Sequence, residues 1–469
     1  MTVLQEHVVV PRPANEAFDY VSDFTTTTEW DSTALEARKL TDGPIAVGTQ
    51  FEVICALPIG SITLVYEVEE LVANKKIVLA GQGRFFNIRD TITFTPEKSG
   101  TRIDYRAEFD FRPWLRPLAS RSQAGLEKMG RESVAGLGEA LRDDFPLQES
   151  SFSVACADRL VIPGVSRFTR LGYKLASKNF NPMTASVRDK HVVITGASAG
   201  LGLIVAGELA RRGARLTLVM RDPDKAQATV AGLVAQTGND NISCELADLS
   251  LLGEVDSLVK RLKKLGEPVD VLINNAGALF NPRAETPEGI EQSHALLLLS
   301  PCRLTEGLKP LLLAAPAARV INVVSGGMYS QRLEVDKLTS PEGDDYSGSV
   351  AYARQKRALM VMTEEWAARW EDEGIVVNAM HPGWADTPGV QQSLPEFRSL
   401  TRPVLRTPLE GADTIVWLAI ATEAGSVNGK LFLDRQVHST HLLSKTREPE
   451  EERERLFEFL QAQGSAVAC

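Results

Sequence analysis

Cysteine is scarce in this chain and unpaired in pattern. Cys55, Cys156, Cys244, Cys302 and Cys469 make an odd number with no CxxC spacing, which argues against a disulfide framework or a thiolate metal site. They read as reduced, mostly structural thiols of a reducing compartment. Histidine is as sparse, and His7, His191, His294, His381, His438 and His441 are scattered without ligand spacing, so no metal site is expected. No apolar run approaches the roughly 20 residues that span a bilayer. The start MTVLQEHVVVPRP also lacks a basic segment followed by an apolar one, and the expectation is a cytoplasmic protein. Basic charge is in deficit too. With 51 Lys and Arg against 61 Asp and Glu the net charge is −10, which disfavours a chain-wide footprint for nucleic acid or anionic membrane.

What is present suits several cores. Hydrophobic residues make up 43% and charged residues 24% of 469 residues, the balance of a soluble globular protein with two or three domains. In residues 1–145 the period is two: Ile62, Leu64, Tyr66 and Val68 alternate with Thr63, Val65 and Glu67, and Ile103, Tyr105, Ala107, Phe109 and Phe111 with charged neighbours. That predicts antiparallel strands with one wet face, separated by turns such as Pro96–Gly100. From Ser122 to Arg142 the period becomes helical, with Leu126, Gly130, Val134, Leu137 and Leu141 on one stripe. A curved antiparallel sheet closed by one long helix is the simplest packing.

Residues 146–187 read as a linker docking on the second domain, with a short helix around Arg167 to Ser177 whose sharper alternative is a membrane-surface contact. From residue 188 to 445, short β-branched runs (His191–Thr195, Leu216–Met220, Val269–Ile273, Val320–Val324, Ile375–Ala379) alternate with helical stretches. That order predicts a doubly wound parallel sheet. Residues 446–469 form a charged helical tail with a solvated acidic run.

Chemistry concentrates in the second part. Gly196-Ala-Ser198-Ala-Gly200-Leu201-Gly202 follows a strand and opens a helix, the setting in which glycines let a backbone approach a pyrophosphate at a helix N-terminus. The next strand, LTLVM, is followed by Arg221 in place of a carboxylate. A guanidinium suits a 2′-phosphate, so NADP(H) is favoured over NAD(H). Asp248-Leu249 and Asn274-Asn275-Ala276-Gly277 both fall just beyond strand ends. Tyr352 and Lys356 are four apart in a helical stretch and share a face. A phenol titrates near 10, so its use as an acid at neutral pH calls for a neighbouring cation such as Lys356. Ser325 at a strand end could hydrogen-bond a carbonyl oxygen.

Together TGASAGLG, DL, NNAG, the strand-end serine, YARQK and PGWADT resemble the short-chain dehydrogenase/reductase family over about residues 188–440. SGGMYS, FLDRQVHSTH and GYKLASKNFNP are most similar to its retinol-dehydrogenase-like branch, of the member 12 type. The resemblance implies a Rossmann domain in which Tyr352 protonates a carbonyl oxygen, Lys356 lowers the phenol's pKa and holds the nicotinamide ribose, and Ser325 polarises the carbonyl. It implies cofactor contacts from Gly196, Ser198, Gly200, Leu201 and Gly202, from Arg221, Asp248 and Leu249, and from Asn275, Ala276 and Gly277. Tyr352, Lys356, Pro382, Gly383 and Thr387 complete that set. One departure stands out: Leu297 occupies the place where the family has an asparagine that holds a relay water.

Residues 3–145 resemble the polyketide cyclase/START-like superfamily, a helix-grip α+β fold around an apolar cavity. Trp30, Phe85, Phe86, Tyr105 and Phe109 are either its ligand lining or its core. Arg84 and Arg89 stand near Phe86 as candidates for an anionic ligand group or as solvated surface. This part shows no acid–base signature. The expectation is an NADP(H)-dependent oxidoreductase for the carbonyl or alcohol of a lipophilic small molecule, fused to a hydrophobic-ligand module, without a nucleic-acid partner or transmembrane segment. The alternatives are a lipid-binding or regulatory protein with little turnover, motivated by Leu297, and a true cyclase. Substrate choice falls to the stretch around Val390 to Arg406, and a homo-oligomer is left open.

Overall fold

The computed structural model describes residues 2–31, 33–56, 61–98, 100–113, 123–142, 166–183, 185–339, 346–442 and 446–463. The chain forms two compact units, one built mainly on residues 1–145 and one mainly on 146–180, 187–234 and 239–469.

The first unit opens with β1 (Thr2–Val10), α1 (Ala14–Ser22) and α2 (Thr27–Trp30). Six strands follow: β2 (Ala34–Lys39), β3 (Gln50–Ala56), β4 (Ser61–Val72), β5 (Lys76–Gln82), β6 (Phe86–Glu97) and β7 (Gly100–Phe111). The unit closes with α3 (Gln123–Ala140). The sheet order β1-β7-β6-β5-β4-β3-β2 is antiparallel throughout. Alternation along β4 buries Ile62, Leu64, Tyr66 and Val68, and α3 lays Val134, Leu137 and Ala140 inward. The β6–β7 turn is tighter than the stretch Pro96–Gly100 suggests, because Glu97 already pairs with Gly100. Trp30 and Phe109 are core residues, Phe85, Phe86 and Tyr105 are half-buried, and Arg84 and Arg89 are exposed, Arg89 pairing with Glu69.

The second unit begins with α4 (Arg170–Ala176). Much of the expected linker and the side chain of Leu126 lie outside the described residues. Phe168 is buried in the second unit's core, whereas Leu171 and Leu175 of α4 are exposed. Then come β8 (His191–Thr195), α5 (Gly200–Arg211), β9 (Arg215–Met220), α6 (Pro223–Thr237), β10 (Ile242–Leu246), α7 (Leu252–Leu265) and β11 (Val271–Asn274). A π turn at Ala295–Leu299 leads into α8 (Ser300–Leu313), followed by β12 (Arg319–Val323), α9 (Gly348–Arg369) and β13 (Val376–Met380). The unit ends with α10 (Pro388–Ser393), α11 (Pro395–Thr401), α12 (Pro408–Ile420), β14 (Leu431–Leu433), β15 (Gln436–His438) and α13 (Glu450–Ala462).

The strand order is β10-β9-β8-β11-β12-β13-β14-β15, parallel except for the last pair. The expected parallel sheet carries one antiparallel edge strand that the sequence reading did not assign: Asp434 and Arg435 both take positive φ (52° and 57°), the two-residue turn that folds β15 back on β14. The charged tail is likewise more than a solvated face, since Leu456 and Leu460 of α13 enter the core and Arg453 pairs with Glu364 and Glu365. Strand order reverses between β8 and β11, and open α/β sheets bind ligands beyond the strand ends at such a point.

Candidate active site

The glycine turn lies at that reversal. Gly196 and Gly200 take φ of +68° and +58°, where a side chain is strained. A Cβ on Gly202 would collide with the Gly196 carbonyl and stand 2.5 Å from Asn275 Nδ2. Asn275 explains the crowding: its Nδ2 donates to the carbonyls of Thr195 (2.9 Å) and Gly196 (3.2 Å). The backbone N–H groups of Asn275 and Ala276 both donate to Thr195 Oγ1, each at 3.0 Å. Asn275 thus braces the turn, and Thr195, which sequence reasoning left as a mere strand end, is the hub. Asn274 faces the other way, its Nδ2 donating to Thr305 Oγ1 (2.9 Å) and Asn322 Oδ1 (2.8 Å), while Asn322 donates to Thr363. This buried polar chain ties β11 and β12 to α8 and α9.

Ser198 and Leu201 are half-buried in the turn, and Arg221 is exposed directly after β9. Asp248 is engaged within its own loop, Oδ1 accepting from the N–H (2.9 Å) and hydroxyl (2.7 Å) of Ser250, with Leu249 buried beside it.

Ser325, Tyr352 and Lys356 converge. Ser325 follows β12 and accepts from the Gly327 N–H at 3.3 Å, and its hydroxyl favours the ionised form of the Tyr352 phenol. Lys356, one turn along α9, is buried and donates to the Val323 carbonyl at 2.7 Å. Its Nζ lies 5.8 Å from the Tyr352 ring centre. Burial pushes the phenol up to about 12, only partly offset by Ser325, and pulls the ammonium down to about 8. Burial therefore raises the phenol in this structure, and Ser325, not Lys356, is the group that acts against the rise.

Leu297 is fully buried in the π turn. A Cβ on Gly277 would sit 3.2 Å from Leu297 Cδ2 and 3.8 Å from Lys356 Nζ. Beside it runs a small cleft lined by Thr195, Asn274, Ser300 and Lys356 among others, and Asn274 Oδ1 is buried with no hydrogen-bond partner among the described residues.

Pro382, Gly383 and Thr387 close the site from the β13 side. Thr387 accepts from the Val390 N–H at 3.4 Å and faces the glycine turn, 3.7 Å from where a Gly200 Cβ would lie. Gly383 (φ +68°) leaves room for Arg406, whose Nε would meet a Cβ there at 2.5 Å. Arg406 forms a buried ion pair with Asp434 (2.5 and 2.9 Å) and donates to the carbonyls of Arg167, Phe168 and Thr169. Sequence reasoning missed it, as a lone arginine among several. The expected substrate stretch is thus a pair of short helices, α10 and α11, pinned also by the Asp386–Arg398 pair.

The profile of the short chain dehydrogenase family matches residues 190–397, and that of the polyketide cyclase/dehydrase and lipid transport family matches residues 1–142. Dehydrogenase/reductase SDR family member 12 of Bos taurus is 39% identical over 302 residues, 64% of this chain and 94% of that protein. The chain belongs to the short-chain dehydrogenase/reductase family. The Homo sapiens member 12 is 37% identical over the same shares, and Homo sapiens retinol dehydrogenase 13 is 32% identical over 54% of this chain and 78% of that one. L-sorbose reductase of Gluconobacter frateurii, solved with NADPH and L-sorbose, is 24% identical with a TM-score of 0.45, over 55% of this chain and 99% of that one. The amino-terminal unit of this short-chain dehydrogenase/reductase is a polyketide cyclase/START-like domain. No helix among the described residues is long and apolar enough to cross a membrane, and no group of three or more His, Cys, Asp or Glu among them could hold a metal.

Proposed function

We propose that the second unit interconverts a carbonyl and an alcohol on a lipophilic small molecule with NADP(H), and that the first unit holds a hydrophobic ligand. The convergence of Ser325, Tyr352 and Lys356 beside the glycine turn carries this reading. The residues fit a dinucleotide: the backbone around Gly196 and Gly202 has no space for side chains, as close approach to a pyrophosphate requires, and Arg221 is free of burial where a 2′-phosphate would lie. When bound, the nicotinamide supplies the hydride. Ser325 orients the substrate oxygen. Tyr352, protonated at neutral pH, donates to that oxygen and gives up its proton as negative charge develops. Lys356, held by the Val323 carbonyl, steadies the resulting phenolate. A cytoplasmic location belongs to the same reading. Loss of NADPH oxidation in Tyr352→Phe, by a factor of about 100 or more, tests it on a panel of lipophilic aldehydes and ketones.

Leu297 favours a second reading, a nicotinamide-binding module with little turnover, because leucine cannot hold a relay water. Asn274 and Ser300, in a mostly apolar cleft that Lys356 also lines, support the first reading, since they keep hydrogen-bonding groups beside the lysine. Leu297→Asn discriminates. Activity rises severalfold if the relay is only weakened and stays at zero if the site is dead.

A further inference from the structure

The inner face of the amino-terminal sheet is largely apolar, with Glu6, Thr101 and the hydroxyls of Tyr66 and Tyr105 among its few polar groups, and one of its charged-type side chains is wholly enclosed. Asp90 on β6 is fully buried, on the face it shares with Ile88, Ile92 and Phe94. Its strand neighbours are Leu79 on β5 and Ala107 on β7, and neither offers a polar side chain. Both carboxylate oxygens lack a hydrogen-bond partner among the described residues.

Two phenols approach this carboxyl group from opposite sides. Tyr66 on β4 pairs with Gly81, where a Cβ would stand 2.7 Å from Tyr66 Cε1 and 2.5 Å from Ile88 Cγ2. The missing side chain lets the tyrosine ring lie across β5. Tyr105 comes from β7, paired with Ile92, its ring edge-on to Trp30 at 6.3 Å. The two hydroxyls are the groups that favour the ionised form of Asp90, yet neither reaches it with full hydrogen-bond geometry. Asp31 adds further negative charge, and no cation is among the groups acting on Asp90. Burial pushes the carboxyl up to about 7 and both phenols well above their usual value. Tyr105 is half-buried, whereas the carboxyl is fully buried.

A buried acid with unmet hydrogen-bonding capacity, flanked by two neutral donors in an apolar surround, is matched to a carbonyl oxygen. We propose that Asp90, Tyr66 and Tyr105 form an acid–base site that takes the carbonyl of an apolar ketone and interconverts its keto and enol forms. The carboxylate of Asp90 removes a proton from the carbon next to the carbonyl, and the C–H electron pair becomes the C=C bond of the enolate. A tyrosine hydroxyl hydrogen-bonds the oxygen that gains the charge, and the proton then returns from Asp90 to that oxygen or to carbon. Nothing is oxidised or reduced. A carboxyl that titrates near the working pH suits both halves of the exchange. The sequence hid this site because its three members lie on three strands. The inference rests on the reading of this unit as a ligand module and adds an activity to it.

The test uses the full chain carrying Tyr352→Phe, without nicotinamide cofactor. Hydrogen–deuterium exchange at the carbons flanking the carbonyl of 2-tetralone is followed by proton NMR in D2O, and binding of the flat enol mimic 2-naphthol by its fluorescence. The expected result is naphthol binding and exchange at least tenfold above buffer, with Asp90→Asn returning exchange to the buffer rate while naphthol still binds. Tyr105→Phe, the variant to use if the asparagine protein does not fold, slows exchange severalfold. Undiminished exchange in Asp90→Asn or Tyr105→Phe overturns the proposal. Naphthol binding with no acceleration overturns it too, yet leaves the ligand-module reading standing. If naphthol and tetralone both fail to bind, that reading falls and the acid–base site with it.

Discussion

Lys356 sets the most direct pH dependence of the reductase site. Burial lowers its ammonium from the usual lysine value to about 8, and the phenol of Tyr352 stays protonated to about 12. Below pH 8 both the proton donor and the cation beside it are in place. As pH rises through 8 the cation is lost while the phenol is still neutral. Measured kcat/KM for carbonyl reduction is therefore expected to fall above pH 8 with a one-proton slope, well before tyrosine ionises. The motif spacing made Tyr352, Lys356 and Ser325 legible, because four residues on a helix share a face and a strand end is a fixed place. The direction of the phenol's shift was not legible. It depends on how much water the fold removes, and no spacing reports that. Thr195 and Asn275 show a similar limit. A threonine closing a strand and an asparagine opening a loop look ordinary until the register of β8 against β11 brings them together.

At the scale of elements, β8, β9, β11, β12 and β13 of the second unit were readable within about two residues because β-branched runs mark them cleanly. The antiparallel β15 was not, since its signal is two positive-φ residues, Asp434 and Arg435, that carry no glycine. The substrate-side elements depend on Arg406. Its guanidinium joins the loop after β13, the stretch Arg167–Thr169 and the turn at Asp434, all in one buried cluster. Burial pushes the Asp434 carboxyl up despite this partner, so the aspartate is poorly accommodated without it. Arg406→Ala is expected to cost about 3–5 kcal/mol by leaving a buried charge unpaired. Urea unfolding followed by tryptophan fluorescence measures this. Arg406→Ala together with Asp434→Leu is expected to recover part of the loss, which separates the unpaired charge from the missing carbonyl contacts.

On the scale of the whole molecule, the change of period from two to alternating strand and helix revealed two different units, and the covalent link between them raises the effective concentration of anything the first releases to the second. At limiting concentrations of a long-chain aldehyde, the intact protein is expected to turn over faster than an equimolar mixture of its separately produced halves, with the two rates merging at saturating substrate. A steady-state comparison across substrate concentration checks this, and equal rates throughout remove any functional reason for the fusion. The central claim, a tyrosine-dependent reductase on the Rossmann unit, is tested most directly by NADPH oxidation with medium and long lipophilic aldehydes and ketones, wild type beside Tyr352→Phe. The account predicts turnover in the wild type that falls about 100-fold or more in the variant, with NADPH binding retained by both. Tight NADPH binding without turnover by either protein, or equal turnover by both, contradicts it.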